Sequence, residues 1–254
     1  MIRAFLEHLG DTVRPIHRRY FRSGVAVERK DDDSPVTRSD REAEQAMRRA
    51  IGEAFPEDGI LGEEFGSERL DARRVWVLDP LDGTRAFVNG KPTFGVMAAL
   101  LEEGRPVAGL IDMPILAERW IGIAGEPTTF NGAPTHVRDC AGLAAASLNA
   151  TSPDMFPDGA SRAAFDRLSA ACGQRHFGGD CHLYGLLACG WIDLIAEDSM
   201  APYDYLPHVA IVEGAGGRIA DWRGRPLDLE SDGTVLAVGA PELFDRALER
   251  LRGP

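Results

Sequence analysis

The segment VWVLDPLDGT, residues 75–84, constrains the fold more than any other stretch of the chain. Its first residues are apolar and strand-favouring, so they predict a strand that ends at Asp79. Pro80 cannot donate a hydrogen bond to a neighbouring strand, and Asp82, three residues after Asp79, can turn toward the same point. The segment therefore predicts two carboxylates held together at one edge of a sheet.

This pair of carboxylates has the chemistry of a metal site. Hard divalent cations such as Mg²⁺ prefer oxygen ligands, and the Leu81 carbonyl between the two acids could be a further one. Gly83 lets the backbone approach a ligand closely. If a helix begins at Thr84, its free N–H groups offer an anion site. A plain turn is the alternative, because Asp, Pro and Gly are all turn formers.

The net charge of the 254-residue chain is −12, from 28 basic and 40 acidic residues. Such an excess of negative charge argues against non-specific nucleic-acid binding. It also means that a carboxylate-rich site would repel a phosphate group unless metal cations lie between them.

The chain lacks the marks of a membrane or secreted protein. No apolar run approaches the roughly 20 residues that cross a membrane, and charges interrupt the N-terminal segment every few residues, unlike a signal peptide. The four cysteines contain no C-x-x-C pair, so we expect free thiols rather than a zinc site, and a reducing cytoplasm. The six histidines have no metal-binding spacing and are interpreted as surface or structural residues.

Periodicity predicts a mixed order of helices and strands. The N-terminal 20 residues form an amphipathic helix, residues 30–36 a polar loop, and residues 40–55 a helix opened by a capping box of Ser39 and Glu42. Residues 94–101 and 106–113 read as a hairpin. The second half alternates strands with helices over 160–172, 180–190 and 204–215. The first half has more hairpin signals, so we expect two tightly packed halves, 1–140 and 141–254.

Further acids lie away from the central pair. Glu63 belongs to the sequence GEE in a loop before the strand, where one of the two glutamates could be a ligand or a base. Asp40 opens a helix, where a carboxylate complements the helix dipole. Asp204 also starts a helix and is either a plain N-cap or another acid that points at the metals from the other half.

These motifs together resemble the inositol monophosphatase family of Mg²⁺-dependent phosphatases. GEE at 62–64, DPLDGT at 79–84, and Tyr-Asp with GAGG at 203–217 have the family's order and spacing. The resemblance runs over nearly the whole chain, from SPVTRSD to GAGG. It implies a mixed α+β fold, a layered α-β-α-β-α sandwich of the inositol monophosphatase and fructose-1,6-bisphosphatase type, and usually a homodimer.

The resemblance also implies roles for individual residues. The metal ligands for two or three Mg²⁺ ions would be Glu63, Asp79, Asp82, Asp204 and the Leu81 carbonyl. Glu63 and Thr84 would orient and deprotonate the attacking water, and Asp40 would support Thr84. The substrate contacts would be Asp82, Gly83, Thr84, Arg85, Asp180 and Glu197.

The chain departs from the inositol-cleaving members at several of these positions. Those members usually carry Trp where this chain has Tyr203, and small or hydroxyl residues where it has Asp180 and Cys181. The combination looks like the branch that hydrolyses histidinol phosphate in histidine biosynthesis, because Asp180 and Glu197 would suit a substrate with an ammonium group and an imidazole. The alternatives are an inositol monophosphatase, a phosphatase for sugar or nucleotide phosphates such as adenosine bisphosphate, and a catalytically silent, metal-stabilised binding protein.

Overall fold

The computed structural model describes residues 1–24, 26–29, 35–156 and 159–253. The helices are α1 (Ile2–Tyr20), α2 (Arg38–Ala54), α3 (Thr84–Val88), α4 (Gly159–Ala171), α5 (His182–Ala188), α6 (Pro202–Gly214) and α7 (Phe244–Arg252). The strands are β1 (Val27–Arg29), β2 (Pro35–Thr37), β3 (Gly59–Gly62), β4 (Gly66–Glu68), β5 (Arg74–Asp82), β6 (Gly95–Glu102), β7 (Arg105–Met113), β8 (Glu118–Ile123), β9 (Thr129–Phe130), β10 (Ala133–Pro134), β11 (Ser147–Ala150), β12 (Gln174–Phe177), β13 (Leu194–Glu197), β14 (Arg218–Ala220) and β15 (Val235–Val238).

Two large sheets organise these elements. The first has the strand order β10-β9-β8-β7-β6-β5-β3-β4, and the second has the order β12-β11-β13-β15-β14. In the first sheet β3 runs parallel to β5, so the carboxyl ends of these two strands meet at one edge. The remaining neighbours in that sheet are antiparallel.

Strand β5 is buried on both faces because its side chains alternate between two cores. Val75 and Val77 face a core that also contains side chains of α5 and α6. Trp76 and Leu78 face a core formed with α1 and α2. An uninterrupted apolar run is what a strand between two helical layers requires.

The second sheet completes the layers. One face of this sheet packs against α5 and α6, and the other face packs against α4 and α7. The order is therefore α1/α2, first sheet, α5/α6, second sheet, α4/α7, which confirms the predicted α-β-α-β-α sandwich. The predicted boundary at residue 140 falls between the two sheets. That each half is a domain stays a prediction.

The start of α2 differs from the prediction. The predicted capping box of Ser39 and Glu42 is wrong, because the helix begins two residues earlier, at Arg38. Thr37 is the N-cap: its hydroxyl accepts from the Ser39 N–H, and its own N–H donates to Asp40 Oδ2. The helix ends at Ala54, ahead of Pro56, as expected.

Most other predicted elements lie within a few residues of their expected bounds, including the β6–β7 hairpin and helices α1, α4 and α6. The sequence did not predict strands β1–β4, β9, β10 and β15 or helix α7. Residues 30–34 of the predicted loop lie outside the described residues, whereas Pro35 and Val36 belong to β2. Within the described ranges, no helix combines the length and apolar character that crossing a membrane requires.

Candidate active site

A bulge at the end of β5 brings the first two acids together. Asp79 lies opposite Met97 of β6, and Asp82 lies opposite Gly95, so three steps along β5 match two along β6. The expected end of the strand at Asp79 is thus wrong: β5 continues through the bulge to Asp82. Within the bulge, the Leu81 N–H donates to Asp79 Oδ1 at 2.9 Å.

Helix α6 supplies the third acid from the second half of the chain. Asp204 is the third residue of the helix rather than its N-cap, which is Ala201. The Ala201 N–H donates to Asp204 Oδ2 at 2.7 Å and so fixes the side chain. Each of Asp79, Asp82 and Asp204 offers an oxygen, and these oxygens lie within 4.8 Å of one another.

Burial and mutual repulsion raise the pKa values of this acid cluster, defined as Asp79, Asp82 and Asp204. The pKa of Asp79 is well above its ordinary value, chiefly through burial and then through the charges of Glu63, Asp82 and Asp204. Burial also raises the pKa of Asp82, against donation from the N–H groups of Cys181 and Gly83. For Asp204, burial and then the charge of Asp82 raise the pKa well above its usual range.

Such a cluster is a poor place for bare carboxylates and a good one for a divalent cation. Hard oxygen donors from separate parts of the chain converge on one point, and a cation there would remove the repulsion that raises their pKa values. The donor set thus fits Mg²⁺.

Glu63 reaches the same edge because β3 runs parallel to β5. Its backbone N–H donates to the Leu78 carbonyl at 3.2 Å, directly after β3 ends. The Glu63 side chain hydrogen-bonds to Asp79 and contributes to the raised pKa of that acid. Glu63 is not one of the three acids within 4.8 Å. It therefore lies beside the cluster.

A buried glutamate on α2, missed from the sequence, holds the loop that carries Glu63. Glu44 is fully buried and accepts from the N–H of Glu64 at 2.7 Å and of Phe65 at 3.2 Å. It also accepts from Arg48 Nε at 2.7 Å. A glutamate inside a helix is typical of a solvated face, so the sequence carries no signal for this role.

Thr84 and Asp40 meet next to the cluster. The Thr84 hydroxyl lies 3.3 Å from Asp40 Oδ1 and 3.0 Å from the Leu81 carbonyl. The other Asp40 oxygen accepts from the Thr37 hydroxyl at 2.6 Å. Burial is the main reason that the pKa of Asp40 is raised. The threonine hydroxyl can thus give its proton to protein acceptors and turn a lone pair toward the cluster.

Gly83 is required by its surroundings. Its φ is +80°, and a Cβ there would lie 3.0 Å from Asp180 Cγ and 3.1 Å from the Thr93 carbonyl oxygen. The glycine lets Asp180 approach the start of α3, which begins at Thr84 as expected. Arg85 follows on the exposed side of this short helix.

A cavity of about 160 Å³ opens beside Asp82 and Asp204. Asp180, Glu197 and Asp198 line it, with the neutral side chains of Thr151, Met155, Cys181, Tyr184, Ser199, Met200 and His208. Burial, followed by the charges of Asp82 and Glu197, raises the pKa of Asp180 to about 8, against Lys91 and Arg85. The cavity wall is thus acidic, and burial favours the protonated form of Asp180.

Two residues of this cavity wall were missed from the sequence. The rings of Tyr184 and His208 stack at 3.6 Å, and the Tyr184 hydroxyl donates to Glu197 Oε2 at 2.8 Å. The Thr151 N–H donates to the other Glu197 oxygen at 2.7 Å. The sequence patterns indicate a surface or structural role for His208 and do not single out Tyr184.

The structure therefore brings the predicted site residues to one region. The acid cluster, Glu63, the Leu81 carbonyl, Gly83, Thr84 and Asp40 lie together, and Asp180 and Glu197 line the adjoining cavity. Arg85 is at the exposed margin, close enough to affect the pKa of Asp180.

Comparisons with known proteins found related phosphatases. The model of the inositol monophosphatase family matches residues 2–252. The chloroplastic bifunctional phosphatase IMPL2 of Arabidopsis thaliana is 42% identical over 96% of this chain and 72% of its own length. A histidinol-phosphatase of Chlorobaculum parvum is 37% identical over 87% of this chain and 86% of its own.

Solved structures give the same result. An inositol monophosphatase from Zymomonas mobilis superposes with a TM-score of 0.90 and 46% identity, covering 98% of this chain and 97% of that one. Family match, relatives and fold all lead to one conclusion: the chain belongs to the inositol monophosphatase family, whose members are phosphoric monoester hydrolases.

Proposed function

We propose that this chain hydrolyses histidinol phosphate to histidinol and phosphate in a Mg²⁺-dependent reaction of histidine biosynthesis. The observation that carries the proposal is the acidic cavity beside the acid cluster, with Asp180 and Glu197 in its wall. A leaving group with an ammonium group and an imidazole would match these acids, whereas a polyol has no charge to match them.

In this proposal the acid cluster, Glu63 and the Leu81 carbonyl hold the metal, as two or three ions. Bound Mg²⁺ would neutralise the charge of the phosphate and lower the pKa of a water molecule. The Leu81 carbonyl oxygen lies 3.0 Å from the Thr84 hydroxyl, and a carbonyl oxygen has a second lone pair that a cation could use. The net charge of −12 is then no obstacle to an anionic substrate.

The protein residues position the attacking water. The Thr84 hydroxyl, which donates to Asp40 or to the Leu81 carbonyl, would accept a hydrogen bond from that water. Glu63, beside the cluster, would take the proton. Gly83 and Thr84 would contact the phosphate through their backbone, with Arg85 at the exposed margin. Direct attack by water requires no phosphoenzyme.

Asp180 is the acid that we expect to discriminate between leaving groups. Both oxygens of Glu197 already accept hydrogen bonds from the protein, from Thr151 and Tyr184. Burial and then the charges of Asp82 and Glu197 raise the pKa of Asp180, whose side chain lines the cavity. An ammonium group beside it would favour its ionised form and gain a charge-assisted hydrogen bond.

An inositol monophosphatase is the second candidate, supported by the 46% identity to the Zymomonas mobilis protein. A broader sugar or nucleotide phosphatase is compatible with the same metal-binding acids. Family membership and the intact acid set speak against the silent binding protein. A homodimer and a cytoplasmic location stay predictions.

Phosphate release from histidinol phosphate, inositol monophosphate and adenosine bisphosphate, each with and without Mg²⁺, tests the proposal. We expect the highest kcat/KM with histidinol phosphate and no release without Mg²⁺. Asp180→Asn should raise the KM for histidinol phosphate roughly tenfold or more. The KM for inositol monophosphate should change by less than about twofold. Asp166→Asn, on the exposed surface of α4, is the matched control. A wild-type preference for inositol monophosphate would refute the substrate assignment.

A further inference from the structure

His17, in the last turn of α1, is completely buried and makes two hydrogen bonds. Its Nε2 lies 2.7 Å from the Pro80 carbonyl oxygen, and its Nδ1 lies 2.7 Å from Ser39 Oγ. A carbonyl can only accept, so Nε2 carries the proton. Burial lowers the pKa of His17 to about 4, so the ring is neutral near pH 7 and Nδ1 accepts from the Ser39 hydroxyl.

The two partners of His17 belong to the two segments that form the site. Pro80 lies between Asp79 and Leu81, inside the bulge that brings the acids together. Ser39 adjoins Asp40, whose carboxylate contacts Thr84. One side chain of α1 thus ties the metal-binding bulge to the start of α2.

The hydrogen bond to Pro80 acts on the peptide that orients a proposed ligand. The Pro80–Leu81 peptide has its carbonyl held by His17 and its N–H held by Asp79 Oδ1 at 2.9 Å. Its plane is therefore fixed from both sides, and this fixes the direction in which the chain continues to the Leu81 carbonyl and Asp82. Without His17, the buried Pro80 carbonyl would lose its partner.

We propose that His17 is a positioning residue that presets the Asp79–Asp82 bulge for Mg²⁺. The proposal rests on the proposed metal-binding role of this segment. His17 touches neither the substrate nor the ions, and acts through the Pro80 carbonyl and Ser39.

Two substitutions separate the hydrogen bonds of His17. In His17→Gln the amide nitrogen can replace Nε2 as donor to Pro80, whereas in His17→Asn the amide oxygen can replace Nδ1 as acceptor from Ser39. We expect the Mg²⁺ dissociation constant to rise by less than about threefold in His17→Gln and by about tenfold or more in His17→Asn. Ser39→Ala, which leaves the histidine in place, should raise it about two- to threefold.

The dissociation constant is measured by titration calorimetry of the full chain with Mg²⁺ alone, so the result does not depend on the substrate. Leu9→Ala, a buried change on the same helix, controls for lost stability and should leave Mg²⁺ binding unchanged. Equal Mg²⁺ affinity in His17→Asn and His17→Gln would overturn the inference. If neither variant folds, unchanged affinity in Ser39→Ala would overturn it. A wild-type chain that binds no Mg²⁺ would instead overturn the proposed function.

Discussion

Asp204→Asn tests whether the three acids repel one another in the metal-free protein. The amide oxygen can still accept from the Ala201 N–H, so the capping contact of α6 is retained. The variant removes one negative charge from a cluster whose oxygens lie within 4.8 Å of one another. We expect Asp204→Asn to be more stable than the wild type without metal and less stable than the wild type with Mg²⁺.

The size of the effect follows from Coulomb's law. Two full charges 4.8 Å apart repel by about 3.5 kcal/mol at an effective dielectric constant of about 20. The protein avoids part of this cost by binding protons, because burial and then the neighbouring charges raise the pKa values of Asp79 and Asp204. We therefore expect the free energy of unfolding of metal-free Asp204→Asn to exceed that of the wild type by about 1–3 kcal/mol near pH 8. Each kcal/mol corresponds to roughly 2–4 °C in Tm.

The pH dependence has a defined sign. Acids with a raised folded-state pKa stabilise the fold below their unfolded-state pKa, and this stability is lost as the pH rises through the raised values. The metal-free wild type should therefore be less stable when measured at about pH 8 than at about pH 5, and Asp204→Asn should lose less stability between the two. Mg²⁺ at about 100 times its Kd should restore about 2.7 kcal/mol to the wild type only.

Differential scanning calorimetry in EDTA and in Mg²⁺, at both pH values, measures these differences. A lower Tm of Asp204→Asn in EDTA at the higher pH would refute the repulsion, and an undiminished Mg²⁺ shift in the variant would remove Asp204 from the metal site. Asp166→Asn, which makes the same change of charge at an exposed position of α4, should show neither effect.

Two further predictions concern the surroundings of the cluster. Thr84→Val keeps the shape of the side chain but removes the hydroxyl near Asp40. The kcat should fall about 100-fold or more, while the Mg²⁺ affinity measured by calorimetry stays within about threefold. A near-normal kcat would exclude Thr84 from water activation. Glu44→Gln leaves Arg48 and the Glu64 and Phe65 N–H groups with fewer acceptors; urea unfolding should show a loss of about 1–3 kcal/mol, together with weaker Mg²⁺ binding. An unchanged free energy of unfolding would show that Glu44 does not hold the loop.

The features that the sequence predicts well are those set by neighbouring residues. The apolar run before Asp79 must be a buried strand, and Pro80 and Gly83 permit few conformations after it. The order of GEE, DPLDGT and the late Tyr-Asp adds information across the chain, because unrelated folds do not share three such motifs. These signals were enough to predict the layered sandwich and the three acids of the acid cluster.

The contacts that support those acids could not be predicted in the same way. Glu44 and His17 lie on helices with ordinary amphipathic patterns, and their partners outside those helices are 20 to 63 residues away. The predicted N-cap of α2 was also wrong. Ser39 and Thr37 are both good N-cap residues, and the reciprocal capping contacts form between Thr37 and Asp40.

The two acids that lie at the third position of their helices show why the fold suits this chemistry. Asp40 in α2 and Asp204 in α6 each accept the N–H of the N-cap residue, at 2.9 Å and 2.7 Å. This contact holds each carboxylate rigidly while its helix N-terminus offsets part of the cost of burying a charge. The bulge in β5 does the same for Asp79 through the Leu81 N–H. These backbone contacts hold the acids in place before any cation binds, so the side chains cannot move apart to reduce their repulsion. Binding of a cation relieves that repulsion, and this favours binding.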